Sequence, residues 1–401
     1  MVRTATALPL LLFGVACTLS TGAGNIGAGL LLATALLVIV VQRGRDIHWP
    51  PREVLLALGA LFLTHAVADW LATPGPARWD KFVEELWLEL LLVSVPVVAA
   101  GRPEVVRRAV ELTLLAGVIT ALYAVYQWLT GRDLVRDRLL FTSNGEYVAT
   151  AFHSHHLSFG GQIMLALVVA MAWLRRDLLE WPRRLWLSGP VCVMLGLGLI
   201  WSFARSAQLG ALVAAVALVP TLPGRWRRVG VAAVVAVLAL AAVMPSVRGR
   251  IIEGFTDEAE VTRPNLWRSS AAGIAHKPVL GWGQGQFRVM LEEHEVPGIY
   301  ESRAHSHNDY LMHAVNAGLL GLAAALWLLW ATVKHLHAGW RRAGSGSWII
   351  LGALLCQVSM AMAGFFQVYQ TDDEPEMLLY FLVGCGLALL NDRSADETPQ
   401  T

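Results

Sequence analysis

The chain has 401 residues, 56% of them hydrophobic and 15% charged, with a formal net charge of +1. A soluble domain carries about 25% charge, so the composition excludes an ordinary soluble fold. The basic residues lie between apolar runs and form no single patch, so nothing points to nucleic acid.

Apolar runs long enough for a helix to cross ~30 Å of hydrocarbon recur from end to end. They lie at residues 5–20, 24–41, 53–70, 83–100, 109–129, 157–174, 185–204, 206–222, 229–244, 308–333, 348–368 and 376–391. The expectation is an all-α polytopic membrane protein with about twelve transmembrane helices. The first run follows Met1-Val-Arg3, shows no convincing cleavage site and is followed at once by a second run, so it reads as a retained span rather than a signal peptide. Cys17, Cys192, Cys356 and Cys385 all fall inside apolar runs and read as small buried hydrophobes.

Between the runs, Lys and Arg are distributed unevenly. One set of connections holds Arg43, Arg45 and Arg52; Arg102, Arg107 and Arg108; Arg175, Arg176, Arg183 and Arg184; Arg225, Arg227 and Arg228; Lys334, Arg341 and Arg342. Arg3 and Arg393 add to it at the termini, whereas the short opposite connections hold only Arg78, Lys81 and Arg205. The positive-inside rule puts the Arg-rich set and both termini in the cytoplasm. The predicted organisation is helices one to nine in residues 1–244, with a smaller outward loop at about 130–156. A large outward loop follows at 245–307, then helices ten to twelve in 308–391 and a cytoplasmic tail at 392–401. The large loop is too long for a plain connection and reads as a lid or platform folded back on the membrane part.

The outward side collects the candidate chemistry. Arg205 lies between two spans; Arg263, Arg303, His305 and His307 lie in the large loop. Arg132, Arg136, Arg138, His153, His155 and His156 lie in the smaller one, where the arginines read as a solvated or headgroup-facing surface. Asp372, Asp373 and Glu374 precede the last run. The string Arg303-Ala-His305-Ser-His307-Asn308-Asp309-Tyr310 stands where the large loop re-enters lipid. Ionisable groups at such a boundary are costly to desolvate and usually serve a site. An uncharged imidazole there can act as a general base near neutral pH. Arginine's planar fork suits phosphate oxygens, so an outward arginine cluster suggests a phosphate-bearing lipid as ligand. Gly281-Trp-Gly283-Gln-Gly285 invites a nucleotide-loop reading, but no strand precedes it and no GK[ST] follows, so tight turns beside a site are expected. His305-x-His307-x-Asp309 invites a metal reading, but Tyr310 stands where the next histidine is needed.

These residues resemble the O-antigen ligase/polymerase superfamily, most closely the lipopolysaccharide O-antigen ligases. Their pattern of His, then Asn, Ser or Gln, nine residues and Gly-x-x-Gly is met by His307, Asn308, the stretch from Asp309 to Ala317, Gly318 and Gly321. Arg205 between spans, Arg263 ahead of Trp267, the glycine run and the acidic turn agree with it, over roughly residues 140–390. The resemblance implies a GT-C-like glycosyltransferase in the bacterial inner membrane, with its active site facing the periplasm. The implied reaction moves a glycan from undecaprenyl diphosphate to a sugar hydroxyl of lipid A–core, with inversion, and without metal or cofactor. It implies His307 as general base and Arg205 and Arg263 as diphosphate ligands. His305, Arg303, Asn308, Asp372 and Asp373 are implied as supporting residues, the two aspartates by pairing with the arginines. A polysaccharide polymerase or a protein O-oligosaccharyltransferase would share the chemistry and differ in acceptor. A lipid-linked sugar transporter would instead place its ionisable site near the midplane.

Overall fold

The fold was obtained as a computed structural model that describes residues 7–43, 47–71, 79–143, 145–243, 258–298, 300, 303–343 and 347–391. Arg3, Arg45, Arg78, Arg393 and the tail at 392–401 lie outside the described residues. Each predicted apolar run contains a helix. In chain order these are α1 (Ala7–Leu19), α2 (Thr21–Val41), α3 (Arg52–Leu71), α4 (Trp79–Leu86), α5 (Leu91–Ala99) and α6 (Pro103–Thr130). Then come α7 (His156–Glu180), α8 (Leu185–Trp201), α9 (Arg205–Leu218), α10 (Gly224–Val243), α11 (Glu258–His276), α12 (Phe287–His294), α13 (Asp309–Ala343), α14 (Trp348–Ala363) and α15 (Asp373–Ala388). Six of the described helices are long and apolar enough to cross a membrane, and four shorter apolar stretches lie at other predicted runs. An all-α membrane protein is thus supported; twelve crossings go beyond that number.

Local chemistry sets the ends. Ser20 separates α1 from α2, its hydroxyl accepting from the Ala23 amide at 3.3 Å. Pro103 opens α6 and Gly131 closes it in the left-handed region with φ of 68°. Two corrections concern the later spans. The run 348–368 is helical only to Ala363, and residues 364–372 form an irregular corner. The run 308–333 is not one helix: α13 breaks at Ala317 and Gly318, where the backbone is non-helical. The smaller loop also carries two antiparallel pairs, β1 (Arg132–Asp133) with β2 (Arg138–Leu139) and β3 (Thr142–Ser143) with β4 (Glu146–Tyr147).

α7 and α15 form the centre. α15 is buried at every position from Glu374 to Leu387, and α7 packs against α8, α9, α14 and α15. α10 lies at the rim, with Val229, Val231, Val235, Val237 and Leu238 exposed. A second, small core joins α11 and α12 to the first half of α13 through Leu266, Trp282, Phe287, Met290, Leu291, Met312 and Val315. The described part of the large loop is therefore folded back on the helices.

Candidate active site

The ends of α7, α9, α13 and α15 meet at one large cavity of about 1280 Å³. Arg205, Arg263, His305, His307, Asp372 and Asp373 all line it, although they come from four separate segments. His155, His156, Ser158, Glu374 and Gln367 line it too. Part of the lining is apolar: Leu209 and Leu212 of α9 with Val237 and Leu238 of α10. Arg205, Leu209 and Leu212 follow one stripe of α9, at helical spacings of four and three. One helix face thus runs from a cation at its start to apolar side chains two turns further on.

Arg205 is exposed at the first residue of α9, just after a turn in which Phe203 has φ of 54°. The turn is tight because Gly160 of α7 leaves no room for a side chain: a Cβ there would meet that of Ala204 at 2.2 Å. Backbone N–H groups at the helix start and the guanidinium together favour an anion.

His307 has φ of 51°, unusual for a residue with a side chain. Its ring Nδ1 lies 2.7 Å from the Gln367 amide oxygen, and its backbone N–H donates to His305 Nδ1 at 3.2 Å. The two imidazoles meet edge to face at 4.2 Å. Burial first, then His307 and Arg263, pushes the pKa of His305 down to about 4, so its ring is neutral at pH 7.

The acidic turn is fastened to other helices. Asp372 accepts from the Ser158 hydroxyl at 2.6 Å, Asp373 from the Asn25 amide at 2.8 Å and Glu374 from the Thr21 hydroxyl at 2.6 Å. In these bonds the two aspartates meet Ser158 and Asn25. Burial and the neighbouring Glu374 push the Asp372 carboxyl well above its ordinary range.

Two expected supporting residues lie elsewhere. Arg303 does not line the cavity; Glu295 holds its guanidinium fork to fork at 2.7 and 2.9 Å. Asn308 does not line it either: its oxygen caps α13 through the Leu311 amide at 2.9 Å, and its nitrogen donates to the Phe365 carbonyl at 3.0 Å. The glycines of the Gly-x-Gly-x-Gly run also stand apart from the cavity. They dock into the break in α13, where Trp282 and Gly283 donate to the carbonyls of Val315 and Asn316 at 2.7 and 2.9 Å. Arg138 is exposed, and Arg136 and Arg138 also staple the loop: both pair with Asp133, and they donate to the carbonyls of Phe152 and Ser154.

Sequence reasoning missed Gln367, Ser158 and the lining role of His155 and His156. The available signal for Gln367 was faint: two glutamines, Gln367 and Gln370, interrupt an apolar run just before the acidic turn. Among the described residues, no group of three or more His, Cys, Asp or Glu is placed to hold a metal ion.

Among curated proteins, none matches the chain. Residues 190–326 match a family model described as O-antigen ligase. That stretch runs from α8 into α13 and holds Arg205, Arg263, His305, His307, Gly318 and Gly321, while Gln367 and the acidic turn lie beyond it. Over residues 190–326 the chain is therefore similar to the O-antigen ligase family.

Proposed function

We propose that this protein is an O-antigen ligase that transfers a glycan from undecaprenyl diphosphate to a sugar hydroxyl of lipid A–core at the periplasmic face of the inner membrane. The observation that carries the reading is the cavity's mixed lining. Cations and imidazoles line it together with aliphatic side chains of α9 and α10, and one face of α9 runs from Arg205 to Leu212. That gradient fits an amphipathic donor with a charged head and a hydrocarbon tail.

In this reading His307 is the general base. Its Nδ1 donates to Gln367, which leaves Nε2 to take the proton of the acceptor hydroxyl. The acceptor oxygen forms the new bond to the anomeric carbon as the bond from that carbon to the diphosphate oxygen breaks. Attack opposite the leaving group inverts the centre. Arg205, Arg263 and the start of α9 receive the charge that develops on the diphosphate. Neutral His305 is a further hydrogen-bond donor. With that charge held by arginine, neither metal nor cofactor is required, so EDTA is expected to leave turnover unchanged.

The test is a reconstituted assay with donor lipid, with and without lipid A–core. His307→Ala is expected to lower turnover by roughly 10²–10⁴-fold, the usual contribution of a general base. Arg205→Lys is expected to lose about 10²-fold, because a point charge does not reproduce a fork. Normal turnover in either variant would remove that residue's assigned role. Glycan chains that lengthen on undecaprenyl diphosphate would make the enzyme a polymerase with the same site. Glycan on a protein acceptor would make it an oligosaccharyltransferase. Movement of donor across the bilayer without glycosyl transfer would mean a transporter.

A further inference from the structure

His307, Asn308, Asp309 and Tyr310 are fastened, residue by residue, to the corner at 361–370. His307 Nδ1 meets the Gln367 amide oxygen at 2.7 Å, and Asn308 donates to the Phe365 carbonyl at 3.0 Å. The Asp309 carboxyl accepts from the Tyr369 and Gln370 amides at 2.9 and 3.1 Å, while its own N–H donates to Gly364 at 2.8 Å. Tyr310 donates to the Ala361 carbonyl at 2.6 Å. Gly364 is required at this seam, since a Cβ there would lie 2.5 Å from the Asp309 carboxyl. On the far side, the Tyr369 and Ser206 hydroxyls bond at 2.8 Å, one residue from Arg205.

Of these bonds, only that of Gln367 reaches a ring able to exchange a proton with substrate. Gln367 is 5% exposed and lines the same cavity as His307. Its oxygen can only accept, so the ring must carry its proton on Nδ1. We infer that Gln367 is a positioning residue, which fixes the tautomer of His307 so that Nε2 is the basic nitrogen. The inference rests on the reading of His307 as general base. An amide suits the task better than a carboxylate. It orients the ring without stabilising imidazolium and without adding negative charge beside a diphosphate. The titratable and charged groups that face this corner are His305 on the same loop, Arg263 of α11, Arg205 of α9, His155 and His156 at the start of α7 and the Asp372–Glu374 turn. The group at Nδ1 is the neutral Gln367 amide, so a carboxylate put in its place should be felt.

The experiment compares wild type, Gln367→Leu, Gln367→Glu and His307→Ala in the reconstituted transfer assay across pH, each matched for thermal stability. Gln367→Leu is expected to lower kcat roughly 10–10²-fold, as for other partners that orient a working histidine, with little change in KM for donor. Gln367→Glu, nearly the same shape, is expected to retain the fold and move the acid limb of the kcat/KM profile upward by about one pH unit, with activity recovered in alkali. A merely structural glutamine would change stability and leave that limb in place. If His307→Ala is inactive but both Gln367 variants keep the wild-type kcat and profile, the positioning role is overturned and the base reading stands. If His307→Ala turns over normally, both are overturned. A second readout is independent of turnover. In ¹⁵N-histidine spectra, the signals lost in His307→Ala should report an Nδ1–H tautomer in wild type and a shift towards Nε2–H in Gln367→Leu. An Nε2–H tautomer in wild type would overturn the proposal.

Discussion

Asp309 shows how a residue inside the histidine string can be indispensable without touching substrate. One of its carboxyl oxygens takes two backbone amides from the neighbouring corner, and its side chain is 2% exposed. Asp309→Ala would leave the buried Tyr369 N–H without an acceptor, at about 1–3 kcal/mol, and the half-buried Gln370 N–H without its partner. We expect a marked fall in the unfolding temperature of Asp309→Ala in detergent, and loss of transfer along with it. Gln367→Glu should retain its unfolding temperature, and that contrast separates a clasp from a tautomer lock. The string from Arg303 to Tyr310 was legible in the sequence because its chemistry resides in side-chain type. Its partner at 361–370 was not, because Phe365, Tyr369, Gln370 and Ala361 contribute only backbone groups to these bonds. Backbone N–H and C=O are common to almost every residue, so such a docking strip leaves no signature. Arg303 misled for the opposite reason: a charge beside the motif was read as part of it, while its carboxylate partner, Glu295, sits eight residues earlier on the platform.

At the scale of elements, the break in α13 gives the spacing from His307 to Gly318 a mechanical meaning. Gly318 has φ of 67°, and a Cβ on it would lie 2.2 Å from the Val279 carbonyl. Gly281, in the inserted loop, has φ of 67° and would clash with the Val315 carbonyl at 2.4 Å. Carbonyls freed by the break are met by the loop's amides, and the Leu319 amide donates to Pro278 at 2.8 Å, so the exposed helix ends are satisfied. Gly318→Ala is expected to destabilise by roughly 2–4 kcal/mol, from backbone strain and steric overlap together. Gly59→Ala, where a Cβ would meet nothing within 4 Å, should be neutral or slightly stabilising in helix α3. Equal unfolding temperatures for the two variants would contradict this account. Each apolar run located a helix while α11 and α12 lay in the predicted loop, and composition did not mark where α14 stops, since Phe365, Phe366 and Val368 remain apolar beyond its end.

The clasp at Asp133 allows a prediction in pH. Burial alone would raise its pKa, but the Tyr123 hydroxyl and the Arg136 guanidinium overcome that and hold it below the ordinary carboxylate value. A lowered folded pKa means that the clasp contributes fully above about pH 4 and is lost as pH falls through the folded value. Trypsin at pH 7 is therefore expected to cut at Arg136 and Arg138 faster in Asp133→Asn than in wild type. Pepsin in acid should open the loop equally in both. A wild-type rate for the variant at pH 7 would show that Asp133 does not hold the loop.

Across the whole molecule, Arg175 and Lys334 of the Arg-rich connections lie at the ends of α7 and α13 away from the cavity. Lys334 near the end of α13 meets Glu53 at the start of α3 at 2.6 Å. Arg175, near the end of α7, bonds Thr221 and lies 5.9 Å from the Trp340 ring. The starts of α7, α9 and α15 collect instead around the cavity. We expect the basic end to be cytoplasmic. A cysteine placed at Ser143, on the cavity, should label from the periplasm in intact cells. One at Arg227 should label only after the membrane is opened. The reverse pattern would invert the proposed orientation.

The aliphatic flank between α9 and α10 has a kinetic consequence. A donor that reaches the arginines along Leu212, Leu209 and the exposed side of α10 comes sideways out of a leaflet, not from water. Its effective concentration is then a mole fraction in two dimensions. Adding empty phospholipid at constant total donor should slow transfer by surface dilution, while diluting the same vesicles in buffer should leave the rate per enzyme unchanged.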